Sequence, residues 1–129
     1  MYLAMHSNGK DPDGRWEAQL RKGSLDVAVL AVLWDGRLYG LEMLRCLRDA
    51  AGLDLAEGTL YPILMRLKQE GLLTSKWVEA DAGHARKYYW LTAAGRQRAL
   101  DMVETWNAFS QSISGLLCRV KAGEKVVSR

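Results

Sequence analysis

After Gly71 the spacing of apolar residues changes from helical to alternating, and after Thr92 it changes back. "LLTSKWVEA" and "RKYYWLT" are rich in aromatic and β-branched residues, and they flank "DAGHA", a loop containing Gly83. That pattern predicts one β-hairpin between two helical regions. A short hairpin cannot fold alone. It must pack on the helices before it, which limits the chain to a mainly α fold with a small antiparallel hairpin.

The preceding region divides into short helices. "RWEAQLRKG" sets Trp16 and Leu20 one turn apart, and "SLDVAVLAVLWDG" puts Leu25, Val29, Val32 and Leu33 on one face. Val27, Leu30, Ala31 and Trp34 make the other side of that helix apolar too, as expected of a helix buried on several sides within an oligomer. "YGLEMLRCLRDAAG" predicts a helix with Met43, Leu44, Leu47 and Ala51 inward and Gly52 ending it. After the connection "LDLAE", "EGTLYPILMRLKQEGLL" turns Leu60, Leu64 and Leu67 inward and stops at Gly71. Pro62 fits in two ways. If Thr59 caps this helix, the proline lies in its first turn at no cost; if the helix starts nearer Glu57, one backbone bond is lost. Thr92 can cap a last helix carrying Leu100, Val103, Trp106, Phe109 or Ser110, Ile113, Leu116 and Leu117 in an apolar stripe with too little chain left to cover it.

The expected organisation is a disordered arm over 1–14 ending in "GKDPDG", a winged helix-turn-helix over 15–92, a dimerisation helix over 93–118 and a polar tail over 119–129. In that fold the helix before the hairpin enters the major groove of DNA. Thr59, Tyr61, Met65, Arg66 and Gln69 lie on or near its outer side, with Pro62 and Lys68 on the same helix. Arg86 and Lys87, beside His84 at the hairpin turn, would meet phosphates as a wing. Tyr39 and Gly40 at the start of their helix offer a hydroxyl and a helix N-terminus to another phosphate. Plainer readings stand beside these. The Tyr61 ring could pack on the preceding helix, Arg66 and Lys68 could be a solvated face, and His84 could be a turn residue. Trp77, Tyr89 and Trp90 read as hairpin core.

Composition narrows the remaining classes. The 129 residues carry 18 Lys and Arg against 15 Asp and Glu, a net charge of +3, which permits an acidic partner without requiring one. Cys46 and Cys118 lie outside any metal or disulfide spacing, and His6 and His84 lack ligand partners, so no metal or cofactor is expected. No apolar run reaches membrane-spanning length and "MYLAMHSNGK" lacks a secretory pattern, so a cytoplasmic protein is expected. No nucleophile–base arrangement, paired loop carboxylates or phosphate-cradling loop argues for an enzyme. A winged helix serving protein interaction, without DNA or effector binding, is the rival class.

"YGLEM", "GTLYPILMRLKQEGLL" and "GHARKYYWLTAAG" resemble, in order, the three signature blocks of the PadR family of bacterial transcriptional regulators. The resemblance covers roughly residues 15–118 and is similar to the small branch with a single helix after the wing. Ala56 stands where a Ser cap is usual, and "YGLEM" replaces the commoner YGYEI. The resemblance implies a homodimeric repressor, released by small phenolic, drug-like or other effectors. Two-fold symmetry would give a pseudo-palindromic operator with recognition helices about 34 Å apart or a multiple of that. It also implies a place for a planar aromatic effector between paired Trp106 indoles at the dimer centre, with Asp26, Val27 and Leu30 of the first-helix region and Ser110 beside them. On the residues alone, Trp106 is simply a large interface side chain.

Overall fold

A computed structural model describes residues 14–79 and 83–127, with side chains described up to residue 120. The arm expected over 1–14 therefore lies, except for Gly14, outside the described residues. The elements run α1 (Arg15–Lys22), α2 (Leu25–Val32), β1 (Leu38–Tyr39), α3 (Gly40–Ala51), α4 (Glu57–Gln69), β2 (Leu73–Glu79), β3 (Ala85–Leu91) and α5 (Ala93–Val127). The architecture is the expected winged helix-turn-helix followed by a C-terminal helix. It forms two units, one up to Ala99 and one from Leu100 onward. Among the described residues, no helix is long and apolar enough to cross a membrane.

The first unit is built on a leucine-rich core. Val29 and Leu30 of α2, Met43 and Leu47 of α3, and Leu60, Leu64 and Leu67 of α4 are almost wholly removed from solvent. α2 is not closed on every side within this unit, since Ala31 and, just beyond the helix, Trp34 remain exposed. Arg96 stacks on the open indole, its guanidinium 4.6 Å from the Trp34 ring centre, and also donates to the Trp34 carbonyl at 3.1 Å. α3 ends as its sequence dictates. Gly52 adopts a left-handed φ of 69°, and the Leu53 N–H reaches back to the Leu47 carbonyl at 3.0 Å.

α4 starts at Glu57 with Ala56 as its cap, so Thr59 lies in the first turn and does not cap the helix. Pro62 is thus inside the helix and has no N–H to offer the Gly58 carbonyl. Gly71, at a φ of 79°, turns the chain into the sheet.

The hairpin gains a third strand. β1 pairs antiparallel with β3 through Leu38↔Tyr89 and Tyr39↔Tyr88, and β2 pairs on the other edge from Leu73↔Leu91 to Glu79↔Ala85, so β3 is central. A two-residue strand running straight into a helix has too short a period to be seen in sequence.

Thr92 caps α5 as expected, accepting from the Gly95 N–H at 3.0 Å while donating to the Gly71 carbonyl at 2.6 Å. Gly95 lies so close to β2 that a Cβ there would overlap the Leu72 carbonyl oxygen. The start of α5, through Ala99, thus belongs to the winged-helix unit rather than beginning a separate one at residue 93.

In the second unit, α5 continues to Val127. The segment expected as a polar tail from 119 is drawn into the helix, consistent with its Lys, Ala and Glu content and its lack of proline.

Candidate nucleic-acid interface

Helical spacing gives α4 four distinct lines. Leu60, Leu64 and Leu67 face the core. Directly opposite run Gly58, Pro62, Met65 and Gln69, all exposed, with Met65 open over 64% of its surface. Tyr61 and Lys68 form the flank toward the wing. Thr59, Arg66 and Glu70 form the flank toward α2.

The α2 flank is an ion-pair network. The Arg66 Nη2 donates to Asp26 Oδ1 at 2.7 Å, and its Nη1 lies 3.6 Å from Glu70 Oε2. The Asp26 carboxylate, through that hydrogen bond first and its charge second, holds the guanidinium above its ordinary pKa. Two residues placed by sequence in different sites, Arg66 at DNA and Asp26 at an effector slot, are thus partners of each other.

The wing flank is concave. Lys68 donates from Nζ to Ser75 Oγ at 2.7 Å. A cavity of about 370 Å³ lies between α4 and the sheet, lined by Tyr61, Met65, Lys68, Gln69, Lys87 and Tyr89. Burial first, and the nearby Tyr61 second, push the Tyr89 phenol above its usual pKa. Tyr61 itself meets the start of α3. A Cβ on Gly40 would overlap the Tyr61 hydroxyl, so the ring packs against that helix as the plainer reading had it, while remaining 39% exposed.

Strand alternation separates the two wing cations. Lys87 lies on the same face of β3 as Tyr89, with Nζ 5.8 Å from the Trp77 ring centre and 5.9 Å from that of Tyr89. Arg86 lies on the opposite face, its guanidinium 4.6 Å from the ring centre of Tyr39, at the head of α3. There it joins a ladder. Tyr39 meets Tyr88 edge-on at 5.5 Å, and Arg37 covers the Tyr88 ring at 4.6 Å. Arg37 escaped the sequence reading because its partner is fifty-one positions away, across the β1–β3 pairing. Beside the ladder, the Tyr39 N–H donates to Glu42 Oε1 at 3.1 Å, which shapes the α3 N-terminus.

Two expectations need correction. Trp77 is not hairpin core: it is 64% exposed, because it lies on the inner face of the sheet but beyond the reach of the helices, where Lys87 is its neighbour. Leu30 is fully buried in the core and cannot line an open slot as the chain stands, whereas Val27 is partly exposed. His84 is exposed beside Gly83 at the hairpin turn.

On α5, Leu100, Val103, Trp106, Phe109, Ile113, Leu116 and Leu117 are all exposed. Trp106 is open over 47% of its surface, and the Ser110 hydroxyl donates back to the Trp106 carbonyl at 2.6 Å.

Comparison with known proteins agrees with this anatomy. Residues 29–101 match the model of the Transcriptional regulator PadR-like family. The chain is similar to a PadR-like transcription factor from Bacteroides fragilis, at 34% identity and a TM-score of 0.66, covering 78% of this chain and 96% of that one. It is also similar to a PadR family transcriptional regulator from Eggerthella lenta, at 31% identity and a TM-score of 0.74, covering 83% and 93%. An uncharacterized protein from Lysinibacillus sphaericus is 26% identical over 87 residues, 66% of this chain and 80% of the relative.

Proposed function

Because the chain belongs to the PadR-like family of transcriptional regulators, we propose that this DNA-binding regulator acts as a homodimeric repressor on a pseudo-palindromic operator. The observation that carries this reading is the arrangement of α4 and the wing. A helix docked by one leucine stripe offers its opposite line to solvent, with Lys68 and Lys87 on one side and Arg86 stacked at the head of α3. Helix line to base edges and cations to phosphates is the division of labour that major-groove recognition needs. Tyr39, Gly40, Arg86 and Lys87 serve the backbone in this reading, and Thr59, Tyr61, Pro62 and Met65 face the groove. Arg66, on leaving Asp26, can reach a phosphate on the α2 side.

The partner in the dimer is a second copy, joined through α5. A row of apolar side chains from Leu100 to Leu117 stands open on a single helix. Covering it at about 25 cal/mol per Å² would favour association strongly. An effector that spread the two α5 helices would release DNA by favouring a state with the wings out of register. Trp106 is its candidate contact. Of the α2 positions suggested beside it, Leu30 is buried and Asp26 is held by Arg66; Val27 remains open in part.

The test combines three measurements. Sedimentation at micromolar concentration should show a dimer that Val103→Asp or Ile113→Asp dissociates or unfolds. Duplex DNA should bind with a salt dependence that neutralising Arg86 and Lys87 reduces; a winged helix serving protein interaction alone would show no such dependence. Planar cationic dyes should quench tryptophan fluorescence in the parent more than in Trp106→Ala, and equal quenching would remove the effector slot from the reading.

A further inference from the structure

The line of α4 farthest from the core is chemically unusual for a surface that reads DNA. Gly58, Pro62 and Met65 offer no side-chain hydrogen-bond donor, and only Gln69, at the last position of the helix, carries an amide. The cationic and hydroxyl side chains of this helix stand on its two flanks, with Arg66 held by Asp26 and Lys68 bonded to Ser75.

Gly58 sharpens the point. It lies in the first turn of a helix, where glycine is a poor helix former. The described fold does not require it: its backbone is not left-handed, and a Cβ there would meet nothing within 4 Å among the described residues. A bare backbone that the chain's own packing leaves unexplained suits the close approach of something outside it.

We infer that Gly58, Pro62 and Met65 form an apolar ridge that reads thymine 5-methyl groups on the floor of the major groove. The thymine methyl is the one apolar mark a base pair presents there, and it is recognised by apolar contact rather than by hydrogen bonds. Gly58 lets the helix backbone come down to the bases, and the Pro62 ring and Met65 thioether fill the space around the methyls. Gln69 at the end of the same line has the amide pairing suited to an adenine edge. The flanking cations then meet the phosphates on either side. The operator half-site under α4 is accordingly rich in A·T pairs. This inference rests on the DNA-binding reading and names which base feature that site recognises.

The experiment uses the full chain and duplexes that it enriches from a random library. Each thymine of the selected half-site is replaced in turn by uracil, which removes the methyl and nothing else. At one or two positions per half-site, uracil should weaken binding by about fourfold, the transfer free energy of one buried methyl group, with the salt dependence unchanged. In Met65→Ala, an exposed site that leaves the core intact, the penalty at one of those positions should vanish. Gly58→Ala should raise the thermal midpoint while weakening operator binding, separating the recognition role from a folding one. Half-sites that lack thymine under the helix, or uracil duplexes bound as tightly as the parent throughout, would overturn the ridge while leaving DNA binding intact. Failure to enrich any sequence would overturn the DNA-binding reading and the ridge together.

Discussion

Arg66 and Asp26 stand forty positions apart in the chain and 2.7 Å apart in the fold, so the guanidinium on the α2 side of α4 is already bound to a carboxylate. The pair is half open, at 46% and 34% exposure, so solvent screens it and its contribution to stability stays below about 1 kcal/mol. Asp26→Asn should therefore change the denaturation midpoint little. It should steepen the salt dependence of DNA binding by about one phosphate contact, because a freed Arg66 can neutralise one. An unchanged slope would mean that Arg66 stays off the DNA even when released.

Gly40 and Tyr61 make a steric rather than an electrostatic prediction. Gly40→Ala forces a Cβ into the Tyr61 hydroxyl, and overpacking of this kind costs about 1–3 kcal/mol. Since Tyr61 is the obstacle, Gly40→Ala combined with Tyr61→Ala should destabilise by less than the sum of the two single changes. Chemical denaturation of the four proteins measures the coupling; strict additivity would show that the ring does not hold that position.

How far these sites were legible in the sequence depends on the range of the interaction. The Leu60–Leu64–Leu67 stripe, the Gly52 stop and the Thr92 cap are set by neighbours within a few positions, and each was readable. β1 was not, because two residues carry no period. Trp77 was misread because its strand alternates correctly, yet the helices stop short of covering it. The Asp26–Arg66 pair and the Arg37–Tyr88 stack join residues that only the folded chain brings together. Of α4's outer line, Met65 and Gln69 were readable as outward, but the significance of Gly58 was not. Among the described residues none fills the space beside it, and only the folded chain reveals that.

The wing cations should act independently. Arg86→Ala and Lys87→Ala should each weaken binding to all sequences alike and lower the salt slope by about 1. With no partner shared between them among the described residues across the two faces of β3, the double variant should lower it by about 2. Titrations at several salt concentrations decide this. A loss confined to one sequence would point to base contact instead.

Tyr89 predicts an alkaline limb of stability. Its phenol is held above the ordinary value of about 10, so the unfolded chain loses this proton first as the pH rises. The contribution is fully present below that pH and is lost as the pH climbs through the folded-state value. Denaturation midpoints of the parent and Tyr89→Phe should run parallel at neutral pH and diverge above pH about 10, with the parent falling faster. Parallel curves throughout would show that the phenol is not protected.

The two faces of β3 make the wing a matter of parity. Leu91 and Tyr89 are buried, and counting back by twos from them reaches Lys87, while Arg86 falls on the other count with Tyr88. One residue inserted between Lys87 and Tyr89 would leave the composition of the tip untouched. It would nevertheless exchange the faces of its two cations, sending Lys87 to the side of Tyr39 and Arg86 to the side of Tyr89. A second inserted residue would restore the original assignment. The stem of the wing should therefore tolerate changes of length in pairs rather than singly.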